Sequence, residues 1–142
     1  MQALLEALLT RVGSDAALAQ IAGTAPSIYL GEAPENARMP FITLRFAAGA
    51  GKSEHDFAGD RITHAVVDIS VIAESLATAL ALADRLTVLL DAAGFALSAG
   101  TLLDCRQISA PRPVLAGFDS ANNEVYRVDV RLICSVFNAA GV

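Results

Sequence analysis

The sequence predicts an α+β domain, in which an antiparallel sheet of about four strands is covered on one face by helices. Two segments repeat apolar residues at helical spacing, and four segments alternate apolar and polar residues as strands do. The predicted order is helix, strand, strand, helix, strand, strand, with a short extra strand possible at Ile28. Runs of strands joined by loops are typical of such layered folds. The 142 residues show no internal repeat or linker, so we expect a single domain over residues 1–142.

The first helical segment lies at the N-terminus, where apolar residues recur at steps of three and four. Ser14 or Asp15 can cap a second short helix, which ends at Gly23. The apolar positions of the first segment are Leu4, Leu5, Leu8, Leu9 and Val12.

The main helix is predicted from Leu76 to Ala93. Ser75 is of the type that caps a helix N-terminus, and Gly94 is suited to the position after the last turn. One face of this helix is apolar and should pack on the sheet. Its stripe consists of Leu76, Leu80, Ala83, Leu86 and Leu90.

Four segments alternate as strands: Phe41–Ala47, Ile62–Ala73, Thr101–Ser109 and Glu124–Phe137. The alternation predicts one buried face and one wetter face. The positions expected to face the helices are Ile42, Leu44, Val67, Ile69, Val128, Val130 and Leu132.

Two long loops are predicted, at Gly49–Asp60 and Pro111–Asn123. Pro111 and Pro113 should end the third strand, because proline cannot donate a hydrogen bond within a sheet. Loops of about a dozen residues tend to be functional or disordered.

The charge composition argues against a protein that grips nucleic acid. The formal net charge is −5 and Lys52 is the single lysine, whereas phosphate binding needs clustered basic residues. No apolar run reaches the length of a membrane span, and the N-terminal segment lacks the basic start of a signal peptide. We therefore expect a chain made in a cytoplasm, with no membrane partner. Cys105 and Cys134 are too few for a disulfide framework or a zinc site, and we expect reduced, half-buried thiols.

Two motifs suggest ligand chemistry but lack its context. Gly51-Lys52-Ser53 has the end of a phosphate-binding loop, but the glycine required five positions earlier is replaced by Phe46. Four potential metal ligands share a glycine-rich loop with no rigid element to fix their geometry. We interpret that loop as solvated, and we expect no enzyme, cofactor or metal. The four ligands are Glu54, His55, Asp56 and Asp60.

Charged residues also alternate along the strands, on the side opposite the apolar positions. Opposite charges on neighbouring strands pair across the wet face of a sheet, and such a face can also contact another subunit. The residues are Arg45, Asp68, Asp104, Arg106, Arg127, Asp129 and Arg131.

The order of these pieces resembles the tail-terminator, or tail-completion, family of long-tailed phages and prophages. After an alanine- and leucine-rich N-terminal helix come a short strand and loop at Ile28–Pro34 and a strand start at Met39–Leu44. The strand Val66–Val71, the helix Ala77–Leu90 and the strand Val125–Arg131 complete the resemblance, which covers nearly the whole chain.

The resemblance implies a structural subunit of a tail. It would form a ring, typically hexameric, at the head-proximal end of the tail tube, in contact with the tail-tube protein and the head–tail connector. DNA would then be a passing cargo, and the chain would lie in a virion or phage-like particle. Another head–tail connector protein, or a small cytoplasmic α+β binding module, stays open as an alternative. The candidate interface residues are Lys52, Phe57, Arg61, Arg112 and Phe118.

Overall fold

A computed structural model describes residues 2–47, 52–55, 61–91, 97–98 and 100–138. The main helix ends at Leu90 with Asp91 as its C-cap, earlier than the predicted end at Ala93 and Gly94, which lie outside these residues. Three helices and six strands are described. In chain order they are α1 (Gln2–Gly13), α2 (Ala16–Ala22), β1 (Ser27–Leu30), β2 (Phe41–Phe46), β3 (Lys52–His55), β4 (Arg61–Ala73), α3 (Leu76–Leu90), β5 (Thr101–Phe118) and β6 (Glu124–Asn138).

All six strands form one mixed sheet, in the order β1-β2-β4-β6-β5, with β3 paired to β4 beside the end of β2. Strands β4 and β6 lie at its centre and pair over the whole length of β4. Every described pair is antiparallel except β1 with β2, which is parallel. The predicted α+β class is confirmed, but the prediction of about four antiparallel strands is wrong in its detail.

The core lies between the helices and one face of the sheet. All seven strand positions that the alternation assigned to this face are fully or almost fully buried, as predicted. The side chain of α3 residue Leu86 is fully buried among them. No charged or polar residue is buried within the described part of the chain, so packing of apolar surface is the main stabilising contribution of this layer.

Capping residues set both ends of α2 as the sequence predicted. Asp15 caps α2 by accepting a hydrogen bond from the backbone N–H of Leu18, and Gly23 ends the helix in a left-handed conformation (φ 82°). Asp15 also accepts two hydrogen bonds from Arg85 of α3, at 2.7 and 2.9 Å. One carboxylate therefore both starts α2 and joins it to α3.

Two features at the β1–β2 side of the sheet differ from the prediction. The segment Gly31–Pro40 carries the chain back along the sheet before β2 begins, so β1 runs parallel to β2. Lys52–His55, predicted as part of a loop, forms β3 and pairs with the start of β4. A short strand of polar residues beside glycines has no alternation to reveal it, so pairing with β4 decides its conformation.

The prediction that Pro111 and Pro113 end the third strand is wrong. β5 continues through both prolines to Phe118, and the β5–β6 connection is a short turn around Asp119 rather than a loop of residues 111–123. β5 is an edge strand, so an amide missing from its outer side removes no hydrogen bond from the ladder. Register shifts on both sides of Ser109 also interrupt the pairing there.

Replacement of Leu86 by alanine should lower the free energy of unfolding by about 2–5 kcal/mol, because it removes a fully buried side chain and leaves a cavity. Urea unfolding monitored by circular dichroism measures this loss. Val88→Ala is the matched control on the same helix, since Val88 is 67% exposed and its truncation should change stability by less than about 0.5 kcal/mol. Equal losses in the two variants would contradict the packing described.

The link between Asp15 and Arg85 should make stability depend on acid pH. The hydrogen bonds from Arg85 hold the pKa of Asp15 below its ordinary value of 3.8. A pKa lower in the folded state stabilises the fold above that ordinary value, and the contribution disappears as the pH falls through the folded pKa. Asp15→Asn keeps a capping side chain but loses the charge. In urea unfolding, the free energy of unfolding of this variant should be lower than that of wild type at pH 7. The difference between the two free energies should become smaller below about pH 4.

The matched control for that measurement is Asp84→Asn, because Asp84 is exposed and forms no ion pair with any described residue. The free energy of unfolding of Asp84→Asn should stay close to that of wild type at pH 7 and at pH 3. If wild type and Asp15→Asn differ in free energy of unfolding by the same amount at pH 3 as at pH 7, the ion pair is not the cause of the difference.

Candidate interaction surface

The sheet has a second face, on the side opposite the helices, which we call the open face. Successive side chains of a strand point to opposite faces of the sheet. The strand positions that alternate with the buried ones therefore lie on the open face. No described element packs over the open face. It carries the charged residues that alternate along β4 and β6, together with their partners on β2 and β5.

One row of the open face places a charged residue on each of three neighbouring strands. Arg45, Asp68 and Arg131 are register partners across β2, β4 and β6. Arg131 donates from Nε and Nη2 to the two oxygens of Asp68, at 2.7 and 3.1 Å. The hydrogen bonds to Asp68 raise the pKa of Arg131. The predicted pairing of opposite charges across neighbouring strands is thus confirmed for Asp68 and Arg131.

The next row is held by Asp129. Ser70 donates a hydrogen bond to its Oδ1 at 2.7 Å across the β4–β6 pair. Arg127 Nε lies 3.1 Å from the same oxygen but makes no aligned hydrogen bond, so we interpret this contact as an ion pair along one strand. Arg106 and Asp104 also pair along their own strand, at 3.6 Å. These contacts differ from the predicted cross-strand pairing, because each carboxylate has an arginine two positions away on its own strand.

Two arginines of the open face stay without a carboxylate partner among the described residues. Arg45 and Arg112 are exposed, and neither forms an ion pair or side-chain hydrogen bond there. Both line a depression of about 610 Å³ that crosses the middle of the open face. Four arginines and two aspartates line it, a net charge of +2 in a chain whose net charge is −5.

The edge strand β5 presents exposed apolar side chains. Phe118 is 60% exposed and Leu115 is 51% exposed. Leu103 and Ile108, at two register shifts of the strand, are also exposed. Large apolar side chains gathered on one element of a surface are typical of sites where proteins meet.

The structure distributes the predicted interface residues over different parts of the fold. Arg112 lies in the depression of the open face, and Phe118 lies at the end of β5. Lys52 and Arg61 lie in neighbouring strands, at the start of β3 and of β4. Phe57 lies outside the described residues. Among the candidates whose side chains the structure describes, Arg112 lines the depression, and the sequence alone did not point to Arg45 as its counterpart.

A histidine and a serine also meet on the open face, which the sequence did not reveal. His64 Nδ1 lies 2.8 Å from Ser135 Oγ. A hydrolytic triad needs a carboxylate that orients the histidine. Here Asp104 is the register partner of Ser135 on the side away from His64, so the serine lies between the two. That order cannot orient the imidazole as a general base through Asp104.

Cys105 and Cys134 are register partners on β5 and β6, and both are buried under the helices. A hydrogen bond with Cys105, together with burial, raises the pKa of the Cys134 thiol. Because the thiolate is the reactive form of cysteine, this environment disfavours nucleophilic chemistry. The thiols are more deeply buried than the half-buried state that the sequence suggested.

Two further properties concern the described residues as a whole. They contain no group of three or more histidine, cysteine or acidic side chains arranged to hold a metal ion. None of their helices combines the length and apolar character needed to cross a bilayer.

Comparisons with known proteins define the class of this chain as a structural protein of phage-type tails. The sequence model of a family described as tail completion protein gp17 matches residues 6–132, nearly the whole chain. The chain belongs to this family of tail completion proteins. The resemblance found in the sequence is thereby confirmed. No curated protein sequence matches the chain.

Solved structures share the fold. A chain from the virion of a native gene transfer agent particle superposes with a TM-score of 0.71 and 23% sequence identity, over 96% of each chain. A second solved chain superposes with a TM-score of 0.52 and 14% identity, over 95% of this chain and 94% of the other. At these identities the structural likeness extends to the fold.

The native protein should react slowly with a thiol reagent. At pH 8, Ellman's reagent should modify both cysteines quickly in denaturant but neither of them on the same time scale in the folded protein, because both side chains are buried and the pKa of Cys134 is raised. Val88→Cys supplies an exposed control on α3 and should react at once. Rapid modification of the folded wild type would contradict the packing of β5 on β6 beneath the helices.

Proposed function

We propose that this chain is a tail-terminator subunit. In this proposal it forms a ring, hexameric in the simplest case, at the head-proximal end of the tail tube. The ring ends tube growth and joins the tail to the head–tail connector. The observation that carries the proposal is the family match over residues 6–132, and the surfaces of the fold support it.

The two faces of the molecule suit contacts of the head-to-tail kind. One face is a layer of helices and the other is an open sheet lined by arginines, so the two differ in shape and charge. Contacts between unlike surfaces of identical subunits generate closed rings when the rotation between neighbours closes. Each subunit of such a ring therefore uses two different patches, one for each neighbour.

The exposed apolar residues of β5 offer a contact to a further protein. In the proposed ring, Leu115 and Phe118 face the tail-tube protein or the connector. Phe118 is the one aromatic residue among the large apolar side chains that are exposed in the described part of the chain, and aromatic side chains are favoured anchors of interfaces. Lys52, Phe57 and Arg61 are proposed to contribute to the same set of contacts.

The charge of the chain suits DNA as a passing cargo. A basic lumen would hold DNA by releasing counterions, and affinity would rise with each phosphate neutralised. A chain with a net charge of −5 and a single lysine gives a surface along which DNA slides. The role proposed is structural, without catalysis, cofactor or membrane partner.

The setting proposed is a virion or phage-like particle assembled in a bacterial cytoplasm. The structural likeness to a chain of a gene transfer agent virion supports a particle of that general kind. The tail-tube protein and the head–tail connector are the proposed partners within it.

Cells that assemble the particle without this chain should make filled heads and separate tails of uneven length, because tube growth has no stop and the tail has no joining surface. Negative-stain electron microscopy of lysates measures both effects. Expression of the wild-type chain from a plasmid should restore joined particles, whereas Phe118→Asp should restore fewer, because it puts a charge on the proposed apolar contact.

The matched control is Leu30→Asp, which places the same charge at an exposed apolar position of β1, outside the proposed contacts. Joined particles with tails of normal length in the absence of the chain would contradict the proposal. Uniform tail lengths with unjoined heads would instead favour another head–tail connector protein. In solution, light scattering of an assembled ring should give six times 14.7 kDa, about 88 kDa.

A further inference from the structure

The depression on the open face is lined by positively charged side chains, two of which have no ion-pair partner among the described residues. Asp68 pairs with Arg131 and Asp129 pairs with Arg127. Arg45 and Arg112 form no ion pair among the described residues. The paired charges of β4 and β6 lie between the two free arginines, and Ala110 and Ala116 line the β5 side of the depression. Arginine is enriched at the centres of protein interfaces, and four of the residues that line the depression are arginines.

The opposite side of the molecule carries complementary charge. Asp84, Val88 and Asp91 follow one another at helical steps of four and three, so they lie on one face of α3. All three are exposed, and Val88 is the most exposed large apolar side chain described. Neither aspartate forms an ion pair with a described residue. The outer face of α3 is thus an acidic stripe with an apolar centre.

We propose that this outer face of α3 in one protomer docks into the depression on the open face of the next protomer. Asp84 and Asp91 then pair with Arg45 and Arg112, and Val88 lies between these two ion pairs. This contact rests on the proposed function, because it specifies the interface that builds the ring. It uses two different patches of the same chain, which is the arrangement that closes into rings.

The dimensions of the two patches are compatible. Asp84 and Asp91 are about 10 Å apart along the helix, at 1.5 Å per residue. Arg45 and Arg112 lie on strands three spacings apart and are offset by two residues along the strands, a separation of about 16 Å at 4.8 Å per spacing and 3.3 Å per residue. Their long side chains can converge over the depression toward the shorter span of the aspartates. A helix, about 10 Å across with its side chains, fits between them.

A second copy of the chain fits the depression better than DNA does. Half of the arginines that line it are already paired with aspartates, and those carboxylates would repel phosphates. Two free arginines give a weak phosphate grip, whereas they match two free aspartates of a neighbour one to one. The experiment must therefore exclude nucleic acid as the molecule that binds the depression.

The test uses two charge-reversed proteins and their mixture. The first carries Asp84→Arg and Asp91→Arg, and the second carries Arg45→Glu and Arg112→Glu. Each alone brings like charges together at every contact, so self-association should weaken by about tenfold or more. Mixed in equal amounts, the two should assemble as wild type does, because an alternating ring pairs opposite charges at every contact.

Assembly is measured by sedimentation velocity in solution and, in cells, by the restoration of joined particles when both variants are co-expressed. The matched controls reverse charge on the exposed β1–β2 loop: Glu35→Arg and Arg38→Glu should each assemble as wild type. All substituted positions are exposed, and thermal unfolding should confirm that every variant folds.

Three results would overturn the inference. Normal assembly of each reversed variant alone would show that the ring uses other surfaces, while the proposed function would stand. Loss of assembly that mixing fails to restore would assign the depression to a different partner. Binding of duplex DNA by wild type at about 150 mM salt, lost in Arg45→Glu with Arg112→Glu, would assign it to nucleic acid. Normal tails in cells that lack the chain altogether would instead remove the proposed function itself.

Discussion

The pairing of β4 with β6 is the constraint on which the rest of the structure depends. The two strands are paired in one register from Arg61 with Asn138 to Ala73 with Tyr126. Each side of this pair then receives further strands, β2 and β3 on one side and β5 on the other. Because side chains alternate along a strand, a slip of one residue would move every buried valine and leucine of the pair to the open face. Burial under α3 therefore holds the register.

The same register determines where the charges of the open face meet. Asp68 lies opposite Arg131 and Ser70 lies opposite Asp129 only because Val67 and Ile69 are held opposite Leu132 and Val130 in the core. The ion pairs are partly exposed, and pairs of this kind contribute little to stability. Their importance is in the arrangement of the surface: they neutralise some arginines and leave Arg45 and Arg112 accessible.

Much of the fold could be predicted from the sequence because its elements obey strong local patterns. Helix α3 and strands β2, β4 and β6 combine clear periodicity with recognisable caps or boundaries, so their positions and buried faces were correct within a few residues. The capping of α2 by Asp15 and its end at Gly23 follow from local chemistry alone. These features do not depend on which other segment of the chain lies nearby.

The errors occurred where tertiary pairing decides the outcome. β3 is a strand because β4 extends past the end of β2 and offers a free edge to it. β5 passes through two prolines because its outer side is the edge of the sheet, a position that the sequence cannot specify. The charged face was indicated by the sequence, but its unpaired arginines were not. Which arginines stay free depends on cross-strand neighbours, so Arg45 and Arg131 look alike in the sequence although only one is paired.

The irregular course of β5 has a consequence for the time before assembly. A long regular edge with exposed apolar residues would recruit strands from other chains without selectivity. β5 instead contains two prolines, four register shifts and Gly117 at φ 137°, while the opposite edge is the four-residue strand β1. Neither edge offers a uniform ladder for uncontrolled strand addition. Subunits that have not yet joined a particle are therefore protected against aggregation through the edges of their sheets, whichever surfaces they use to assemble.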